Sequence, residues 1–201
     1  MAGAGPRRFP SVAGAGDQVV GTVEQLAVYP VKSLGGRVVD EVRVDGAGLR
    51  GDRTWSVVDA DTGERVTVKT APQMREVVAT GDREADTITL SEMLGRPVRL
   101  DAAGAPQVDA APVHLVSLEA VRRAAAGDVP EGCSAEDPRA NLLLALPRAD
   151  ERAWVGRRLR VGEAVLDVVR TPKHCLGVYA EVVTPGRVAV GDAVVLTDQP
   201  D

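Results

Sequence analysis

From Gly21 onward the chain is cut into short valine-rich runs about ten residues apart, each closed by glycine, proline or an acidic turn. That spacing predicts strands joined by tight turns, closed into a barrel or stacked as a sandwich. Val23, Leu26 and Val28 form the first run, which Pro30 ends, and Val42 and Val44 alternate with charged residues up to Asp45-Gly46. Residues 52–59 and 65–70 read as a hairpin around Asp59-Ala60-Asp61-Thr62-Gly63-Glu64. Residues 74–79, 87–90 and 96–100 read as further strands, with one helical turn between 91 and 94. Aromatic residues are only 2% of the sequence against 44% hydrophobic, so the core must be built from Val, Leu and Ala.

One stretch reads as a helix, residues 117–126, with Ser117 as N-cap and Gly127 as its end. Residues 139–146 form a continuous apolar run suited to a strand buried on both faces. Gly162-Glu163 and Gly191-Asp192 are turns between later strands. The expected organisation is a disordered Gly/Ala/Pro tail over 1–20, a β domain over 21–100, a linker over 101–112 and a second β domain over 113–201.

A formal net charge of −5 argues against nucleic acid or an anionic membrane as partner, so any basic site is local. No apolar run is long enough to cross a membrane, and residues 1–20 lack the apolar core of a signal peptide. Cys133 and Cys175 do not make a disulfide scaffold, which favours a reducing, cytoplasmic setting. Cys133 lies in a Gly/Pro-bounded loop with no ligand partner near it in sequence. With only His114 and His174, a histidine-built metal site or triad is disfavoured. His114 reads as a hydrogen-bonded structural residue. Gly46-Ala47-Gly48-Leu49-Arg50-Gly51 matches a dinucleotide fingerprint, but a strand follows it where that motif needs a helix N-terminus.

Chemistry concentrates at Val168-Val169-Arg170-Thr171-Pro172-Lys173-His174-Cys175-Leu176-Gly177-Val178-Tyr179, a strand end, a basic turn carrying a thiol, and a second strand. Two readings of Cys175 stand on these residues: a buried structural cysteine, or a thiolate favoured by its cationic neighbours. Lys32, Ser33, Arg53, Ser117 and Arg139 fall in loops or at element starts and carry the side chains that bind an anion. Arginine offers a bidentate fork, lysine a point charge, and serine a hydroxyl.

Six phrases in order carry a family resemblance: Tyr29-Pro30-Val31-Lys32-Ser33, Gly51-Asp52-Arg53-Thr54-Trp55, His114-Leu115-Val116-Ser117, Arg139-Ala140-Asn141-Leu142, Thr171-Pro172-Lys173-His174-Cys175, and Gly177-Val178-Tyr179-Ala180-Glu181-Val182. Together they resemble the MOSC family, proteins similar to the C-terminal domain of molybdenum cofactor sulfurase and to the mitochondrial amidoxime-reducing component. The resemblance spans about residues 20–198. It implies a mainly β, MOSC-type barrel with an N-terminal barrel-like half and one or two short helices. It also implies a molybdenum–molybdopterin cofactor (Moco) between the halves. In the family frame Lys32, Ser33, Arg53, Ser117, Arg139, Asn141 and Tyr179 match cofactor contacts, and Cys175 matches the metal ligand and catalytic position. The implied activity is reduction of N-oxygenated small substrates with electrons from a separate donor protein. The alternative is a non-catalytic cofactor or sulfur carrier using Cys175. A family-level association with pyridoxal phosphate comes with the same resemblance. The frame departs in one place: reductase-like members have a long segment between the cysteine and the tyrosine strand, whereas here only Leu176, Gly177 and Val178 intervene.

Overall fold

The computed structural model describes residues 16–102, 111–128, 138–147 and 150–197. The strands in chain order are β1 (Gln18–Val28), β2 (Arg37–Val39), β3 (Glu41–Asp45), β4 (Gly48–Leu49), β5 (Trp55–Asp59), β6 (Arg65–Val66) and β7 (Val98–Ala102). After these come β8 (Val113–Ser117), β9 (Leu142–Ala145), β10 (Arg158–Val161), β11 (Ala164–Arg170), β12 (Val178–Thr184), β13 (Gly186–Ala189) and β14 (Ala193–Thr197). Two helices, α1 (Arg83–Leu94) and α2 (Leu118–Ala125), and two 3-10 turns, Pro72–Glu76 and Glu151–Trp154, complete the described elements.

Seven strands close a barrel in the order β14, β10, β11, β12, β8, β9, β1, with β1 pairing back onto β14 through Gln18, Val19, Gly21 and Thr22. Closure leaves no open edge in the ring, and β2 adds to it on one side of β1. Neighbours are antiparallel except β8 and β9, which run parallel. A parallel pair needs a crossover, and α2 lies in that connection. Leu26, Leu115, Leu142, Leu144, Leu159 and Leu166 fill the interior with valines, so aliphatic side chains build this core as composition demands. Each such leucine contributes about 2 kcal/mol of burial.

A second core lies under the three-stranded sheet β6, β5, β7 and gathers Val31, Leu34, Val57, Met74, Leu90 and Leu100. The two cores are not separated by the chain boundary expected at 101–112. β1 and β3, from before it, pair with β9, β14 and β13 from after it. Residues 103–110 of that linker lie outside the described residues, as do the tail to residue 15 and Cys133. Among the described residues no helix is long and apolar enough to cross a membrane.

Two expected strands are helical instead. Residues 87–90 lie inside α1, and the first half of 74–79 belongs to the 3-10 turn Pro72–Glu76. Helix ends override local β preference here: Asp82 Oδ1 accepts from Glu84 N at 2.9 Å and Ala85 N at 3.1 Å, and Gly95 closes the other end in the left-handed conformation. Leu90 then turns into the second core while Ile88, two residues away, stays 53% exposed.

Candidate functional site

β1 ends at Val28, and residues 29–36 leave the barrel toward the smaller sheet, where Val31 bridges Trp55. Lys32 N donates to Trp55 O at 2.8 Å and Trp55 N to Pro30 O at 3.1 Å, which fixes this loop against β5. A second loop, after β4, brings Arg53 N to Tyr29 O at 2.7 Å, while Tyr29 N donates to Asp52 Oδ1 at 2.8 Å. A third loop, before β9, carries Arg139. Its Nη1 donates to Leu34 O, and Arg53 Nη2 donates to Arg139 O at 3.3 Å. The Lys32-Ser33, Arg53 and Arg139 loops therefore form one hydrogen-bonded cluster drawn from distant parts of the sequence.

Tyr29 stands at its centre. The Arg53 guanidinium lies 5.1 Å from the ring centroid, the Arg139 guanidinium 4.6 Å, and the Tyr29 hydroxyl donates to Ala140 O at 3.3 Å. Arg53 also pairs with Asp52, and both are buried, whereas Arg139 is half-buried. Among the described residues, the non-glycine positions with positive φ are Ser33 (75°), Arg53 (47°) and Arg139 (51°). A left-handed backbone costs about 1 kcal/mol or more per such residue and tends to persist where ligands are held. All three were singled out by side-chain type alone.

Beside this cluster a cavity of about 140 Å³ is lined by Lys32, Ser33, Ser56, Arg65 and Thr67, with Val57 and Val66. Ser56, Arg65 and Thr67 escaped the sequence reading because they sit in an alternating hairpin, where polar residues look like a solvated face. The pairing of β5 with β6 brings Ser56 and Arg65 to the cavity that Lys32 and Ser33 also line.

Cys175 lies in the turn between β11 and β12, whose register pairs Arg170 with Tyr179. Leu176 is buried against Val116, Ala120 and Ala140, and it anchors the turn. The thiol stays half-buried, with Sγ 3.7 Å from Pro138 O, next to Arg139. Buried His114 donates from Nε2 to Leu176 O at 2.8 Å, and its ring lies 4.8 Å from that of Tyr179. The Arg170 guanidinium lies 5.9 Å from the Tyr179 centroid. Cys175 thus lies beside the loop that carries Arg139, and Lys173 and His174 are exposed.

Ser117 and Asn141 are placed differently. The Ser117 hydroxyl accepts from Ala120 N at 3.0 Å as the cap of α2, and its own N–H donates to buried Glu151 at 3.0 Å. Asn141 Oδ1 accepts from His114 N at 3.1 Å and its Nδ2 donates to Ala27 O at 3.3 Å, tying β8 and β1 to the start of β9. Both are buried, and their side chains bond to main-chain groups. Among the described residues no three His, Cys, Asp or Glu side chains gather into a metal-binding group.

Comparison with known proteins agrees with this architecture. The human mitochondrial amidoxime-reducing component 1 is 42% identical over 78 residues, covering 37% of this chain, and its mouse counterpart is 41% identical over the same length. The match spans 22% of the length of each relative. The crystal structure of the YuaD protein from Bacillus subtilis superposes with a TM-score of 0.54 at 16% identity, over 91% of this chain and 98% of that one, a likeness of fold. The family model described as the MOSC N-terminal beta barrel domain matches residues 20–134. That segment is more than half of the sequence and contains the Lys32-Ser33 loop, Arg53 and β8, so the chain belongs to the MOSC family of proteins that carry this N-terminal barrel domain.

Proposed function

We propose that this protein binds a molybdenum–molybdopterin cofactor and reduces N-oxygenated small molecules with electrons from a separate donor protein. The observation that carries the reading is the meeting of Arg53 and Arg139 on one ring, with the Lys32-Ser33 loop bonded to Arg139 through Leu34 O and a half-buried thiol beside Pro138. The donor set fits such a group. A phosphate taken out of water needs several charge-assisted hydrogen bonds, and a cavity of about 140 Å³ lies beside Lys32, Ser33 and Arg65. A cysteine thiolate is a soft ligand suited to such a metal. Lys32, Ser33, Arg53 and Arg139 would hold the anionic end, and Cys175 the metal. Tyr179, Ser117 and Asn141 would shape the second half of the site. Ser117 and Asn141 would do so through the backbone they fix. When bound, the group supplies two-electron oxygen-atom chemistry. Overall, an amidoxime takes two electrons and two protons, its N–O bond breaks, and an amidine and water leave. The names of the human and mouse relatives support that substrate class.

The test is expression in a host that makes the cofactor, followed by elemental analysis of the full chain. Molybdenum is expected near one atom per chain in the native protein and to be lost in Cys175→Ser, together with reduction of an amidoxime by a chemical donor. Metal retained in Cys175→Ser would remove the ligand assignment, and metal-free native protein would remove the cofactor.

One observation favours a second reading. The turn from Cys175 to Tyr179 is short, and it leaves the thiol half exposed. A carrier of sulfane sulfur or of the cofactor would suit that accessibility. Persulfide on Cys175 of the purified protein, without amidoxime turnover by metal-loaded protein, would select it.

A further inference from the structure

We propose that the groove beside the first half of β1 receives the chain's own N-terminal segment, with Phe9 seated on its apolar wall and Arg7-Arg8 on its acidic rim. The barrel is closed, yet β1 is 11 residues long and β9 only 4. Their pairing begins at Thr22 with Ala145 and runs to Leu26 with Leu142. Before Thr22, Gln18, Val19 and Gly21 pair with β14 along one edge of β1, and none of the described strands covers the other. An uncovered edge is a place where an extended segment can add. Beside it lies a groove of about 890 Å³, walled by Val19, Val20, Leu118, Ala145, Leu146 and Pro147. Val19 is 64% exposed there, and a contiguous apolar surface left open to water marks an interaction site.

The place where the segment leaves the barrel selects it as the occupant. Description of the chain starts at residue 16, and Asp17 is tied to Arg160 at 3.0 Å, two residues before the groove wall at Val19. From Phe9 to Asp17 the chain spans at most about 27 Å, and Gly14-Ala15-Gly16 suits a reversal. An antiparallel return through that turn sets Val12 beside Val19 and carries Phe9 past Gly21, where the Leu146 side chain lies against the strand. Pro10, which has no N–H to donate, is tolerated on such an outer strand. Phe9 is the one phenylalanine of the sequence, and in a stretch of Gly, Ala, Pro, Arg, Ser and Val it is the largest apolar group to bury. Charge agrees with this seat. Glu119 and Asp150 line the groove with only Arg122 against them, which leaves the rim negative for Arg7-Arg8. Glu119 and Arg122 lie 3.8 Å apart and both are exposed, so that pair yields to an arriving arginine at little cost.

The test replaces Phe9 by 4-fluorophenylalanine in the full chain, which gives a single fluorine resonance. That line is compared with the same residue in a peptide of residues 1–16 and in full-length Val19→Asp, where a charge enters the groove wall at an exposed position. The native line is expected away from the peptide position at every protein concentration, with nuclear Overhauser contacts from the ring to the methyls of Leu118 and Leu146. Val19→Asp is expected to return it to the peptide position, and Arg7→Glu with Arg8→Glu to move it part of the way. The ring-to-methyl contacts decide the matter if Val19→Asp does not fold. A native line at the peptide position would overturn the docking and leave the groove to another partner. A displaced line that Val19→Asp leaves in place, with no contact to Leu118 or Leu146, would overturn the seat. A line that returns to the peptide position on dilution would give the groove to the segment of a second copy and overturn docking within one chain.

Discussion

Gly177 lies two residues past the thiol with φ of 75°, and a Cβ built there would stand 2.0 Å from Leu115 O. No side-chain motion relieves that contact, because the obstacle is the backbone of β8. Gly95, which ends α1 at φ 65°, has nothing within 4 Å of its would-be Cβ, so there only the dihedral preference opposes a side chain. Gly95→Ala is therefore expected to cost about 1 kcal/mol and Gly177→Ala about 3 kcal/mol or more, read as shifts in urea midpoint at constant slope. Equal costs would mean that the Cys175 turn gives way more easily than its packing indicates. Lys32, Ser33, Arg53, Arg139 and Cys175 could be named from the sequence as side chains able to hold an anion or a metal, but taken singly each reads equally as a surface charge, a cap or a structural thiol. Tyr29 could not, because an aromatic at a strand end beside proline looks like core. Its partners come from loops that only the folded barrel brings together.

The β5–β6 hairpin shows how much a turn can reveal about its element. Asp59 Oδ1 accepts from Thr62 N at 2.9 Å and from Asp61 N at 3.1 Å, and Arg96 pairs with Oδ2 at 2.9 Å. The Thr62 N–H above all, with smaller help from Asp61 and Arg96 and against the opposing effect of burial, holds its carboxyl below the ordinary carboxylate value. A depressed folded value means stability that is present above the unfolded value near 3.9 and is lost as pH falls through the folded value. Asp59→Asn keeps the shape and removes the charge. Its thermal midpoint is expected below native by a constant margin from pH 7 to about pH 4, with the gap closing at lower pH. A gap independent of pH down to pH 2 would assign the effect to packing. The hairpin itself was readable because its turn residues follow a local rule. α1 was not, because Thr87-Ile88-Thr89-Leu90 alternates like a strand, and the deciding groups, Asp82 and Gly95, lie outside that window.

At the scale of the molecule, the chain order and the sheet order disagree in a way that couples the two cores. β1 belongs to the N-terminal part of the sequence yet closes the barrel against β14, and β3 pairs with β13. The Arg53, Arg139 and Tyr29 contacts add side-chain ties at the same junction. Strand number and turn spacing could suggest a barrel, but not which strands close it, because closure joins residues at opposite ends of the chain. The interlocking has a measurable consequence. The sequence holds two tryptophans, Trp55 packed on the smaller core and Trp154 buried in the barrel core. Unfolding the smaller sheet alone would strip the Val31 bridge and the Arg53 ties from β1, so the barrel would lose its closing strand's anchor at the same step. Single-tryptophan variants, Trp55→Phe and Trp154→Phe, each followed by fluorescence in urea and compared with circular dichroism of the same sample, are expected to give coincident midpoints for both probes. An earlier midpoint for Trp55 within the Trp154→Phe variant would show that the smaller sheet opens independently. The Lys32-Ser33 and Arg53 loops would then be held by the barrel alone.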